Sequence, residues 1–312
     1  MEKLKKLIAM LLSTSIMLTA AGCQSKKTED KEVTRNTSIT TVEDLRNQLL
    51  QQFEVLASKY LKEESNNVEV IWTGSQTFEG KSTILFEVNV KDVKNIDGLN
   101  KFLTIFQSIY PISNLNIDAK TLSQLNIESP AIASLSINSK EKALVDLSNF
   151  EGITYLSLQN VNANNIPESV SAISFKGGIG KNGELDKTYN LTNELRQLKN
   201  LANLFNLSFE MVRVDEFDVP KTESVTIAFE NCWGDTVIYV SDSNYVELHN
   251  NTEHSCNVVT VNGKINSKLN VVDYPGGSFV EGNINGTPEI QIVNDRPFAV
   301  PTAEDDIIYP CR

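Results

Sequence analysis

Two histidines stand in this 312-residue sequence, His249 and His254, with Glu247, Glu253 and Cys256 beside them. A zinc site needs three or four such donors converging on a tetrahedron. The spacing His-x4-His-x-Cys matches no metal motif, so these side chains are expected on a polar surface, and no metal or other cofactor is assigned. No GxSxG elbow, HExxH or P-loop occurs, and Gly177-Gly178-Ile179-Gly180 lacks fingerprint spacing and reads as a loop. Carboxylates and aromatic rings remain. Paired acids could cleave glycosides or pectin from one face of a β-helix. No pair stands out, however, and beyond Lys221 the bases available to a lyase are Lys264, Lys268, Arg296 and Arg312. Phe229, Trp233, Tyr239 and Tyr245 fall within 17 residues and offer rigid contact area to a sugar or a protein; their other role would be core filling.

The start of the chain carries an address. Charged Met1-Glu2-Lys3-Leu4-Lys5-Lys6 precedes an apolar run from Leu7 to Leu18, then Thr19-Ala20-Ala21-Gly22-Cys23. The apolar run is too short for the roughly 20 residues of a membrane-spanning helix and fits the core of a signal peptide. The small residues ending in Cys23 resemble the lipobox of bacterial lipoproteins, although Ala20 stands where that family more often has Leu. The resemblance implies cleavage before Cys23, diacylation of its sulfur by palmitate-like chains, and a cell-membrane location facing outside the cytoplasm. Two acyl chains hold where one is marginal. Residues 1–22 are thus expected to be the signal peptide and 23–40 a flexible polar tether. An extracytoplasmic site permits disulfides. Three cysteines remain after Cys23, so one bridge at most can form; Cys232 with Cys256 is the expected pair, with buried free thiols as the alternative.

These residues need elements to position them. The formal net charge of −12 excludes nucleic acid as a partner, which requires a concentrated basic surface. From Thr41, Val42, Leu45, Leu49, Phe53, Leu56 and Tyr60 recur at helical spacing, predicting a helix over 42–62. Short strands at Val68–Trp72 and Ser82–Val90 form a hairpin, and a second amphipathic helix runs from Ile96 towards Pro111. Residues 41–110 therefore read as an αββα module, a cap on the open end of the repetitive region beyond it, with Trp72 in its core.

The repetition begins at Ile112. Ile112-x-x-Leu115-x-Ile117, Leu122-x-x-Leu125-x-Ile127 and Ile132-x-x-Leu135-x-Ile137 share a ten-residue step, each block predicting one short strand and one corner. Ile153-x-x-Leu156-x-Leu158-x-x-Val161-x-Ala163-x-x-Ile166-Pro167 resembles a leucine-rich repeat, with Val161 at the usual asparagine position between Asn160 and Asn162. Leu195 to Phe209 resembles the leading half of the same motif. The resemblance implies an irregular leucine-rich-repeat-like solenoid over 111–221, in which inward leucines stack coil upon coil. Residues 222–312 read as all-β, with short strands between Asn-, Asp-, Gly- and Ser-rich turns. The expected fold class is α+β, an αββα cap followed by a β-rich solenoid; a β-sandwich of consecutive hairpins is the competing architecture. The expected function is a membrane-anchored scaffold, not an enzyme, that binds a protein or polysaccharide; the alternative is a carbohydrate-active β-helix enzyme, a hydrolase or lyase.

Overall fold

A computed structural model describes residues 42–78, 81–127, 132–178, 189–251, 257–273 and 277–294. The signal peptide, Cys23, the tether, His254, Cys256 and Cys311 lie outside the described residues. No helix among the described residues is long and apolar enough to cross a membrane. The chain divides into two compact units, residues 1–115 with 125–127, and residues 116–124 with 128–312.

The first unit holds α1 (Val42–Leu61), β1 (Val68–Phe78), β2 (Lys81–Val90) and α2 (Ile96–Gln107). The order is helix, hairpin, helix. The apolar stripe of α1 places Leu45, Leu49, Phe53 and Leu56 in the core, as the helical period requires. Phe53 meets Phe86 edge-on at 5.0 Å and Phe106 at 4.5 Å, a geometry that aromatic quadrupoles favour. Asn95 caps α2 by accepting from the Gly98 amide at 3.0 Å. Trp72 is half-buried, packing edge-on against Phe86 at 5.9 Å.

The middle ten-residue block departs from expectation. Ile112–Asp118 is β3 and Ile132–Asp146 is β4, but Ala119–Leu122 between them is a helical turn, α3, rather than a strand. Asp118 causes this. Its carboxylate accepts from the Thr121 amide at 2.9 Å and from the Thr121 hydroxyl at 2.5 Å, fixing a helix N-terminus where the apolar spacing alone suggested a strand.

The second unit is a β-solenoid of about 8 turns. Its strands are β4, β5 (Tyr155–Asn164), β6 (Ala172–Lys176), β7 (Asn206–Glu210), β8 (Glu216–Val219), β9 (Thr222–Glu230), β10 (Gly234–Asn251), β11 (Asn257–Asp273), β12 (Gly277–Asn285) and β13 (Glu289–Asn294). A short helix, α4 (Thr192–Gln197), interrupts them. From β4 onward every pairing among the described residues is parallel. Hairpins would pair antiparallel, so the sandwich is excluded. Leu135, Leu156, Ile173, Leu207, Ile227, Leu248, Val271 and Ile292 occupy one register column, each behind the next. Period-2 alternation sends this column inward, and all but the last are buried. Beside it Phe175, Phe209 and Phe229 stack nearly face to face, with centroids 5.6 and 5.2 Å apart. Phe229 is therefore interior, which corrects its expected place on a binding surface: its alternation phase points it at Phe209.

Where residues 222–312 were expected to hold only short strands between turns, β10 and β11 are long single strands, each bent at a corner after Val240 and after Val261. β10 pairs with β8 before the bend and with β9 after it, so each long strand contributes to two sheet faces. A second corner column is formed by Asn160, Met211 and Asn231, all with positive φ, a conformation that asparagine tolerates. Gly177 sits in the same column, its amide donating to the Glu210 carbonyl; a Cβ there would lie 1.9 Å from the Met211 oxygen. Only glycine fits that approach.

Candidate functional site

A groove of about 310 Å3 opens in the second unit between α4, β8 and the first arm of β10. Position begins with α4. Asn190 starts the turn, its side-chain oxygen accepting from the Thr192 amide at 2.7 Å. The segment is then fastened to β5. The Tyr189 hydroxyl donates to the Val161 carbonyl at 2.7 Å, and Asn162 donates to the Asn190 carbonyl at 2.8 Å. Fully buried Glu194 accepts from the Ala163 amide at 2.7 Å, and Gln197 accepts from Ile166 and donates back to Ala163. Side chains of α4 thus satisfy the backbone at the end of β5, as buried polar groups require. Burial, with the Glu194 carboxylate adding to it, pushes the Tyr189 phenol far up, so it stays a neutral donor.

With α4 fixed, Arg196 lines one wall of the groove, and Arg213, Asp215, Glu216 and Asp218 line the other. Arg213 Nε donates to Asp215 Oδ1 at 2.8 Å, which orients both exposed side chains. Glu216 and Asp218 alternate with buried Phe217 and Val219 along β8 and share its outer face. Tyr239, 43% exposed, stands beside Asp218 on one side and Asn262 on the other in the parallel register. Asn262 in turn accepts from the Asn283 amide at 2.8 Å. The result is an aromatic platform edged by planar hydrogen-bonding groups and two guanidinium ions. Such a surface can stack a ring and hold hydroxyls around it.

The four aromatic residues close together in the sequence do not converge. Tyr239 reaches the groove, Phe229 is interior, half-buried Trp233 sits at a corner with its amide donating to the Val212 carbonyl, and half-buried Tyr245 lies on the second arm of β10. The bend between Val240 and Ser243 turns Tyr245 onto a different sheet face. Cys232 is a buried free thiol that donates to the Phe209 carbonyl at 3.3 Å; its expected partner, Cys256, lies outside the described residues. His249 faces Glu247 at 3.0 Å on the second arm. Among the described residues no three His, Cys, Asp or Glu side chains gather as a metal site.

Sequence reading missed Arg196, Arg213, Asp215, Glu216 and Asp218, because it took 111–221 as leucine-rich-repeat-like coils and began the all-β region at 222, after α4 and β8. The i, i+2 pair Glu216 and Asp218 flanking an apolar Phe217 was the available signal. Comparison with protein-family models, curated proteins and solved structures returned no match.

Proposed function

We propose that this chain is a membrane-anchored surface lipoprotein whose solenoid is a noncatalytic scaffold for a polysaccharide partner, bound in the groove beside α4. The exposed Tyr239 ring between Asp218 and Asn262 carries this reading. Sugars present apolar ring faces and equatorial hydroxyls, and this surface offers a stacking plane with donors and acceptors at its edge. The groove is held by strands and by a fastened helix, so little ordering entropy opposes binding. Within the solenoid, the stretch from Ile153 to Ile166 is the leucine-rich-repeat-like step: its repeat positions Ile153, Leu156, Leu158, Val161, Ala163 and Ile166 are all buried.

Anchorage comes from diacylated Cys23, outside the cytoplasm. Cys23→Ala should release the chain into the medium; a variant as membrane-bound as the parent contradicts the anchor. For the groove, Tyr239→Ala should weaken retention on a polysaccharide panel about tenfold, ~1.4 kcal/mol, without lowering the melting temperature. Unchanged retention shows that the groove is not the binding surface, and retention by a protein alone points to a protein partner.

A second reading has its own observation. Glu216 and Asp218 are two residues apart on one face of β8, roughly 6.6 Å along the strand, near the roughly 6.5–9.5 Å separation of carboxyls in inverting glycosidases. One would act as acid and the other as base on a bound sugar. Release of new reducing ends, lost in Glu216→Gln, distinguishes that enzyme from a scaffold.

A further inference from the structure

A second depression, of about 540 Å3, adjoins the Tyr239 groove at the start of α4: Asn190 and Thr192 line both. The rest of its lining comes from α4, β4 and β5. Leu144 pairs in register with Asn162, two places before Asp146 pairs with Asn164. Buried Val145 and Ala163 alternate with them, so Leu144, Asn162 and Asn164 share the outward face. Leu144 is 61% exposed there, an aliphatic side chain set among amides.

Those amides are half used. Asn162 Nδ2 donates to the Asn190 carbonyl and Asn193 Nδ2 to Asn164 Oδ1, both at 2.8 Å, while Asn190 Oδ1 accepts from the Thr192 amide at 2.7 Å. Each bond fixes one end of a carboxamide and leaves the other. Among the described residues, Asn164 Nδ2 and Asn190 Nδ2 are thus spare donors and Asn162 Oδ1 a spare acceptor. Glu194 is fully buried and lines the same depression. Its Oε1 accepts from the Ala163 amide, but its Oε2 has no partner among the described residues. A buried carboxylate oxygen without a donor is costly, and an N–H brought by a ligand removes that cost.

We infer that this depression is a second subsite, which takes the acetamido group of an N-acetylated amino sugar; it rests on the polysaccharide reading of the groove, whose chain continues across Asn190 and Thr192. An acetamido group presents one N–H donor, one carbonyl acceptor and a methyl group. The depression meets them with the Glu194 carboxylate, the spare Asn164 and Asn190 donors, and Leu144. Plain hydroxyls would leave Leu144 uncovered. Charge narrows the class further. A sugar carboxylate would face buried Glu194, and a sugar amine would face Lys142, the one charged residue among the exposed, described side chains of the lining. A neutral acetamido group meets neither repulsion.

Hexamers of β-1,4-linked N-acetylglucosamine and of β-1,4-linked glucose, titrated into the full chain by calorimetry, test this. The parent should bind the acetylated hexamer at least about tenfold more tightly, because a site built for a hydrogen-bonding group rejects the analogue that lacks it. Asn164→Asp keeps the oxygen that accepts from Asn193 and removes only the spare donor. Combined with Leu144→Ala, it should bring the two hexamers within about twofold of each other, with the glucose affinity and the melting temperature unchanged. Tyr239→Ala should weaken both hexamers. Equal affinities in the parent, both lowered by Tyr239→Ala, overturn the subsite and leave the groove standing. A preference that survives in Leu144→Ala/Asn164→Asp overturns it too, because the acetamido group is then held elsewhere. No saturable heat with either hexamer also overturns it, the groove itself being judged by the wider polysaccharide panel.

Discussion

Replacing Phe209 with alanine should do more than weaken the fold: it should cut the solenoid in two. Phe209 is almost wholly buried, and its ring meets Phe175 at 5.6 Å, Phe229 at 5.2 Å and Phe217 at 5.5 Å. Truncating a core phenylalanine costs ~3–5 kcal/mol through lost transfer energy and the cavity left behind. Three ring contacts, each worth ~0.5–1.5 kcal/mol beyond area burial, place Phe209→Ala at the upper end, ~5 kcal/mol. A domain's whole stability is about 5–15 kcal/mol. In a solenoid each coil leans only on its neighbours, so the loss concentrates at the β6–β7–β9 interfaces. Urea unfolding followed by circular dichroism should change from one transition to two, with exchange assigning the later coils to one and β4–β6 to the other. Phe209→Leu, which keeps most of the volume, should cost ~1–2 kcal/mol and preserve the single transition. An alanine variant that loses under ~1 kcal/mol, or that unfolds in one step at the parent midpoint, refutes coil-to-coil coupling through the phenylalanine stack.

Buried groups give two more expected outcomes. Burial pushes the Cys232 thiol up to about 12, leaving on the order of one part in ten thousand as thiolate near pH 8; iodoacetamide followed by peptide mass analysis should leave Cys232 unlabelled until the chain is unfolded in urea, and labelling at the same rate in both states contradicts its burial. Burial also raises the Asp273 carboxyl above its ordinary 3.8, against the opposing hydrogen bonds from Phe279 and Asn250. The folded chain therefore keeps that proton to higher pH than the unfolded chain, and stability falls as pH climbs from the ordinary value through the raised one. Asp273→Asn should flatten that fall in the urea midpoint while still accepting from the Phe279 amide; an unchanged slope assigns the fall to other groups.

The helices of the first unit were legible because Leu45 to Tyr60 and Leu99 to Phe106 keep a 3.6-residue period that a strand cannot use. The solenoid was legible from inward apolar positions at Leu156, Leu158, Leu207 and Ile227. Corners were harder. Whether the segments either side of Ser241 and Asp242 make two strands or one bent strand depends on how neighbouring coils pair, which spacing does not encode. Asp118 turned a strand-like block into α3 through a side-chain cap, a local competition that apolar periodicity ignores. The groove was least legible. It brings together Arg196, Glu216 and Tyr239, segments that meet only because α4 is fastened to β5 and β8 lies beside β10. Phe229 misled for the opposite reason: proximity to Trp233 and Tyr239 in the chain says nothing about alternation phase, and that phase turns it inward.

A groove that holds a polysaccharide without cutting it makes two demands, binding and the absence of cleavage. Titrating a panel of soluble polysaccharide fragments into the full chain by calorimetry, with reducing ends counted in the same samples, reads both at once. A noncatalytic scaffold gives saturable heat for at least one fragment, about tenfold weaker in Tyr239→Ala, with the reducing-end count constant. Saturable heat that Tyr239→Ala leaves untouched, or reducing ends that accumulate and then vanish in Glu216→Gln, would contradict it.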